Sequence, residues 1–262
     1  MEPGRDVIGT EWQPYTAGNG TMEQHAGALL FRIHDTTAQR YSDAQIDDHR
    51  GPSRRRMRWR PPLQLTVRAR FSHPTGVLRG TAGFGFWNDP FIMAGARWPA
   101  LPRAIWFFYA SPPSDMSLAY GVPGYGWKAA TLDATRLQAI ALAPLAPIAV
   151  LAMRHQALYR RLWPPIEHAL GVRETLLPVD MTGWHVYMLE WLPDRAHFYV
   201  DGERVLGNAP SPRGPLGFVM WLDNQYMVAT PQGRLRWGLL EIGGEQWMEV
   251  SQLELKTGEG TL

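Results

Sequence analysis

The chain has 262 residues, of which 45% are hydrophobic and 19% charged, with a formal net charge of +2. That balance allows a sizeable buried core and excludes an intrinsically disordered chain. There is no cysteine, which removes disulfides, thiolate metal sites and a cysteine nucleophile.

The first residues, Met1-Glu2-Pro3-Gly4-Arg5-Asp6, contain no apolar run, so no secretory signal is expected and a cytoplasmic location follows by default. Strand signals then dominate: short apolar or alternating runs separated by Gly, Pro, Asp and Asn. Strands are predicted at Ala26–His34, Leu63–Ser72, Thr81–Asn88 and Ala104–Ala110. Between the first two lies the one dense basic run, Arg54-Arg55-Arg56-Met57-Arg58-Trp59-Arg60. No second basic stripe supports it, so it reads as a solvated loop, and nucleic acid is not an expected partner.

From Ala129 to Leu177 the strand signal stops. Leu132–Ala143 reads as a helix with Asp133 near its start. Ile148–Leu162 reads as a second, ended by Trp163-Pro164-Pro165, and Ile166–Leu170 as a short third piece stopped by Gly171. Within this stretch, Leu137–Met153 is almost wholly apolar, but it is shorter than the ~20 residues a bilayer span needs and is broken by Pro144 and Pro147. Arg154, His155, Arg160 and Arg161 then alternate with Leu158, Leu162 and Trp163. Three roles remain open: a helical hairpin packed on its own domain, a lid or membrane-surface element over 137–163, or an oligomer contact.

Strands resume at Trp184–Leu192, Ala196–Val200, Gly217–Leu222 and Met248–Lys256, with Pro193-Asp194-Arg195 and Asp201-Gly202 as turns. Many short strands with regular turns imply an all-β sandwich. The expected organisation is one domain over 1–262, with a helical insertion at 129–177.

The segment from Gly183 to Gly202 carries a Trp-His-x-Tyr-x-x-Glu-Trp strand (Trp184 to Trp191), a Pro-Asp turn at Pro193-Asp194 and Tyr199-Val200-Asp201-Gly202. This pattern resembles glycoside hydrolase family 16 of the concanavalin A-like lectin/glucanase superfamily. Met248–Leu255 is similar to that family's closing strand, and Gly83-Phe84-Gly85-Phe86-Trp87 to its Trp-bearing strand. The resemblance implies a concanavalin-like β-sandwich, or jelly roll. It also implies Glu-x-Asp-x-Glu or Glu-x-Asp-x-x-Glu on one strand, with a retaining carboxyl pair ~5–5.5 Å apart. No Glu here is followed by Asp two residues later. The strand in that place, Arg103 to Ala110, is aromatic where the family is acidic, and Tyr109 is its one titratable group besides Arg103.

Polar groups that could converge on a cleft fall in three clusters: Tyr41–His49, Trp87-Asn88-Asp89 and Trp221–Tyr226. Asp89, Asp223 and Asp47 are the candidate catalytic carboxylates. Gln45, Trp87, Asn88, Trp106, Tyr109, Trp221, Asn224, Gln225 and Tyr226 are the candidate ligand-binding residues, since aromatic rings stack on sugar faces while amides pair with hydroxyls. Turn chemistry explains Asp89-Pro90 and Asp223-Asn224 equally well, and Glu190 reads as structural. Gly83 and Gly85 share a face with Trp87 and admit close approach of a backbone or ligand. No metal-ligand spacing, phosphate loop or nucleophile elbow is present, and no cofactor is expected. The expected ligand is a glycan, glycolipid or other partly apolar small molecule. The competing expectations are a glycosidase using Asp89 with Asp223 or Asp47, and a membrane-surface scaffold held by 137–163.

Overall fold

Alternation with a period of two residues builds two antiparallel sheets in the computed structural model, which describes residues 12–25, 27–50, 53–91, 97–258 and 260–261. The reading of Met1–Asp6 and the first residue of the Ala26–His34 strand lie outside the described residues. The first sheet runs, in spatial order, β1 (Gln13–Ala17), β4 (Asp43–Asp47), β13 (Gly217–Asp223), β6 (Thr81–Trp87), β7 (Arg103–Ala110), β8 (Gly126–Asp133) and β9 (Arg173–Leu176). The second runs β12 (Glu203–Pro210), β11 (Arg195–Val200), β10 (His185–Trp191), β5 (Leu63–Phe71), β16 (Ile242–Thr257), β3 (Ala28–Thr36) and β2 (Gly20–His25), with β17 (Gly260–Thr261) paired to β16. A separate hairpin, β14 (Gln225–Ala229) and β15 (Leu235–Leu239), follows directly from β13. The all-β sandwich expected from the strand pattern is the architecture observed.

The core lies between the sheets. Leu65 and Val67 of β5, Tyr187 and Leu189 of β10, Phe84 and Phe86 of β6, Phe107 of β7 and Trp127 of β8 are fully or almost fully buried there. Tyr187 meets the Phe84, Phe107 and Trp127 rings edge-on, at centroid distances of 5.4, 5.2 and 5.5 Å. Such pairs add about 0.5–1.5 kcal/mol each beyond the area they bury.

The segment that carries the family resemblance forms β10 and β11. It is locked by Asp201, which accepts His185 Nδ1 at 2.6 Å and the Val186 amide at 2.8 Å. Glu190 accepts the Tyr199 hydroxyl at 2.9 Å on the outer face of the second sheet. This hairpin is therefore framework.

The helices differ from expectation in extent. β8 continues to Asp133 and β9 begins at Arg173, so helices occupy α1 (Leu137–Leu142), α2 (Ala146–Ala152) and α3 (Gln156–Ala169), with a 3₁₀ turn at Ala143–Leu145 between the first two. α3 also runs through Pro164 and Pro165, where the sequence predicts a stop. Proline removes a backbone bond there, but tertiary contacts hold the helix on both sides of the interruption. The Trp163 indole donates to the Leu118 carbonyl at 3.0 Å, and Glu167 accepts the Tyr120 amide at 2.7 Å.

The basic run also has a structural task. Arg54 donates to the carbonyls of Asn88, Asp89 and Trp98, clamping the loop that follows β6.

Candidate functional site

Residues pointing away from the core on the first sheet form the floor of a cleft of about 670 Å³. On β6 the core takes Ala82, Phe84 and Phe86, which leaves Thr81, Gly83, Gly85 and Trp87 on the cleft side. The same parity puts Trp106 and Phe108 of β7, Val219, Trp221 and Asp223 of β13, and Gln45 of β4 on that side. Trp106 is the hub of the floor. Its ring centroid lies 5.9 Å from Trp87, 5.2 Å from Phe108 and 5.7 Å from Trp221.

Glycine makes this floor flat. A Cβ on Gly83 would lie 2.3 Å from the Phe107 carbonyl, and one on Gly85 2.4 Å from that of Ile105. Gly85 also has φ +151°, outside the comfortable range of L-residues.

One wall is the β14–β15 hairpin, through Tyr226, Met227, Leu235, Trp237 and Leu239. Asp115 fastens the hairpin, donating its amide to the Met227 carbonyl and accepting the Ala229 amide, both at 2.9 Å. No residue of α1–α3 lines the cleft. The wall over the cleft is therefore the hairpin and not the insertion; in β15 the cleft residues Leu235, Trp237 and Leu239 alternate with Arg236 and Gly238.

The polar end of the cleft is acidic. Asp223 Oδ1 accepts the Thr81 hydroxyl at 2.7 Å and the amides of Gln225 at 3.0 Å and Thr81 at 3.3 Å. Those bonds favour the carboxylate, yet burial outweighs them and pushes the acid up to about 6. Directly across the strand pair is Asp43, in register with Asp223 and wholly buried. Neither Asp43 oxygen has a hydrogen bond of good geometry. Burial first, and the Asp223 charge second, hold Asp43 well above the usual carboxylate range. The Tyr41 hydroxyl is the polar group beside it; burial and the Asp43 charge raise that phenol too. Burial thus favours the protonated form of both acids, and at Asp43 the neighbouring Asp223 charge favours it further.

The predicted residues divide clearly. Gln45, Trp87, Trp106, Trp221, Asp223, Gln225 and Tyr226 line the one cleft. Five others are placed elsewhere. Tyr109 has the opposite parity to Trp106 and lies in the core, its hydroxyl donating to the Leu78 carbonyl at 2.7 Å. The Asn88 amide is used up by the Leu101 carbonyl and the Arg103 amide. Asn224 accepts the Ser42 amide and donates to the carbonyls of Thr37, Arg40 and Leu240. Asp47 is fully buried and accepts Arg50 Nε and Gln45 Nε2, each at 2.6 Å. Asp89 is buried beyond the far end of β6, with φ +44°.

That last placement overturns the Asp89–Asp223 catalytic pair. Asp223 is registered with Thr81 and Gly217 with Trp87, so the two aspartates flank opposite ends of β6, ~20 Å apart at ~3.3 Å per residue. Asp47 is opposite Val219, four residues from Asp223 along β13, or ~13 Å. Neither distance suits a glycosidase pair. Asp43, by contrast, belongs to the Tyr41–His49 cluster but was not singled out by sequence, because its partner is 180 residues away. Among the described residues no group of three or more His, Asp or Glu could hold a metal ion.

No family model and no curated protein matches the chain. Solved structures with a similar course include the Bacillus licheniformis β-glucanase (11% identity, TM-score 0.46, covering 94% of this chain and 92% of that one). A β-1,3-1,4-glucanase (lichenase) from a mouse hindgut metagenome gives 13%, 0.46, 96% and 95%. A structure reported with the endo-acting O-glycanases by which human gut bacteria initiate mucin breakdown gives 14%, 0.49, 95% and 93%.

Proposed function

We propose that the cleft binds a partly apolar, glycolipid-like ligand. The apolar part of the ligand lies along the indole floor, and its hydroxyl-bearing end meets Gln45, Asp223 and Gln225. The observation that carries this reading is the contiguous Trp87–Trp106–Phe108–Trp221 platform with a single acidic end. Aromatic faces accept both a sugar's C–H face and an alkyl chain, and a few convergent polar groups fix orientation. On β7 the cleft side carries Trp106 and Phe108, where the family resemblance expects acids.

Tryptophan fluorescence titrated with octyl glucoside below its micelle concentration tests the reading, with glucose as the polar control. Octyl glucoside binds and glucose does not. Trp106→Ala weakens binding about tenfold, the value of one lost stacking contact of ~1.4 kcal/mol. Unchanged affinity in Trp106→Ala would sink the proposal.

A second reading, acid–base chemistry on a bound glycoside, is favoured by the Asp43–Asp223 pair. Asp43, enclosed behind Asp223, would keep the pair's proton, and the ionised Asp223 would take a proton from a water that attacks the glycoside. Turnover of aryl glycosides that disappears in Asp223→Asn, with octyl glucoside binding kept, supports it. Full turnover in that variant rejects it.

A further inference from the structure

We infer that the helical insertion and the adjoining tip of the β14–β15 hairpin form one surface that docks on an anionic lipid bilayer. The cleft then opens at that bilayer and takes its ligand from it, a consequence that rests on the ligand reading above.

Every residue from Ile140 to Ile148 is exposed, and none of the nine is polar. Leu137, Leu145, Ile148 and Leu151 are 73%, 56%, 70% and 64% exposed. Folding in water normally turns such side chains inward. Here α1 and α2 bury only Ala139 and the Met153 that follows, so the apolar face has no partner among the described residues. The hairpin extends this face. A Cβ on Gly233 would lie 2.5 Å from the Val150 methyl, so the hairpin tip touches α2. Beyond the tip, Leu235 and Trp237 are 60% and 72% exposed. Both also line the cleft, so its mouth and the apolar surface share residues.

Charge identifies the occupant. Between Asp133 and Glu167 there is no acid, but there are Arg136, Arg154, Arg160 and Arg161. Between Asp223 and Glu241 there is again none, but there are Arg234 and Arg236. Arg234 pairs with Asp115 at 2.7 Å. Arg154, Arg160, Arg161 and Arg236 enter no ion pair among the described residues. An apolar face rimmed by unpaired arginines, with a tryptophan at its border, fits the interface of an anionic membrane. No helix among the described residues is long and apolar enough to cross one. The short helices therefore lie in the membrane plane.

The test is flotation of the full chain with phosphatidylcholine vesicles, with and without phosphatidylglycerol. The wild type floats with the anionic vesicles and less with the neutral ones. The double variant Leu145→Glu/Ile148→Glu lowers partitioning at least about tenfold, because two side chains leave the acyl boundary. These positions are exposed, so the double variant folds and still binds monomeric octyl glucoside. The triple variant Arg154→Gln/Arg160→Gln/Arg161→Gln loses the preference for anionic vesicles. Trp106→Ala floats normally while losing octyl glucoside, which separates docking from ligand binding. Failure of the wild type to float overturns the proposal, as does full flotation of the double variant. Sedimentation that shows a dimer broken by the double substitution, without vesicle binding, assigns the face to a second copy and overturns it too.

Discussion

At Asp223 three donors converge on one carboxylate oxygen and favour the ionised acid, while burial favours the protonated one and prevails, at about 6. Asp48, held by the Trp59 indole and the Phe218 amide, is pushed to about 6 for the same first reason. A pKa raised above its unfolded value means that the native state binds the extra proton. Stability at these groups therefore falls as pH rises from about 4 to about 6 and stays low above. Asp223→Asn removes that loss. Its Oδ1 still accepts Thr81 and Gln225, and its amide can face Asp43. The variant should be more stable than the wild type at pH 8, by on the order of 2 kcal/mol, with the gain vanishing towards pH 4. Thermal unfolding at pH 4, 6 and 8 measures this, and equal destabilisation at every pH would contradict it. Trp106, Trp221 and Gln45 were legible in the sequence because strand parity alone sends them to one side. Parity also separates Tyr109 from Trp106, so the two face opposite sides of β7. Asp43 was not legible, since only the β4–β13 register brings it to Asp223.

The elements divide by how locally they are specified. β5 and β10 alternate cleanly, and the sequence delimits each to within a residue at either end. β8 is not legible in the sequence because both its faces are covered: Lys128 is buried against Glu174 at 3.3 Å, so its apolar run shows no alternation. The insertion is joined to the sandwich at two neighbouring points, because Thr131 of β8 is paired with Arg173 of β9. Replacing residues 135–170 by a short glycine-containing turn should therefore leave the sandwich folded. No residue of α1–α3 reaches the cleft, so octyl glucoside binding should persist. Circular dichroism and the fluorescence titration read the two outcomes. Loss of binding in a folded deletion would mean that the hairpin depends on the Val150 contact to hold its position.

At the scale of the whole molecule, the pairing of strands far apart in the chain governs what sequence could reveal. The fold class followed from many short strands, but the cleft's composition depended on which strands became neighbours. β16 has a second consequence. It lies between β5 and β3, pairing Val250 with Ala69 and with Leu29. This strand, which follows β1–β15 in the chain, is thus interior to its sheet. A folding chain in which it is not yet placed leaves the facing edges of β5 and β3 unpaired, so the sheet closes only once this strand is added. Such non-local closure is slow and prone to aggregation. Loss of β16 residues therefore opens the middle of a sheet rather than trimming its rim.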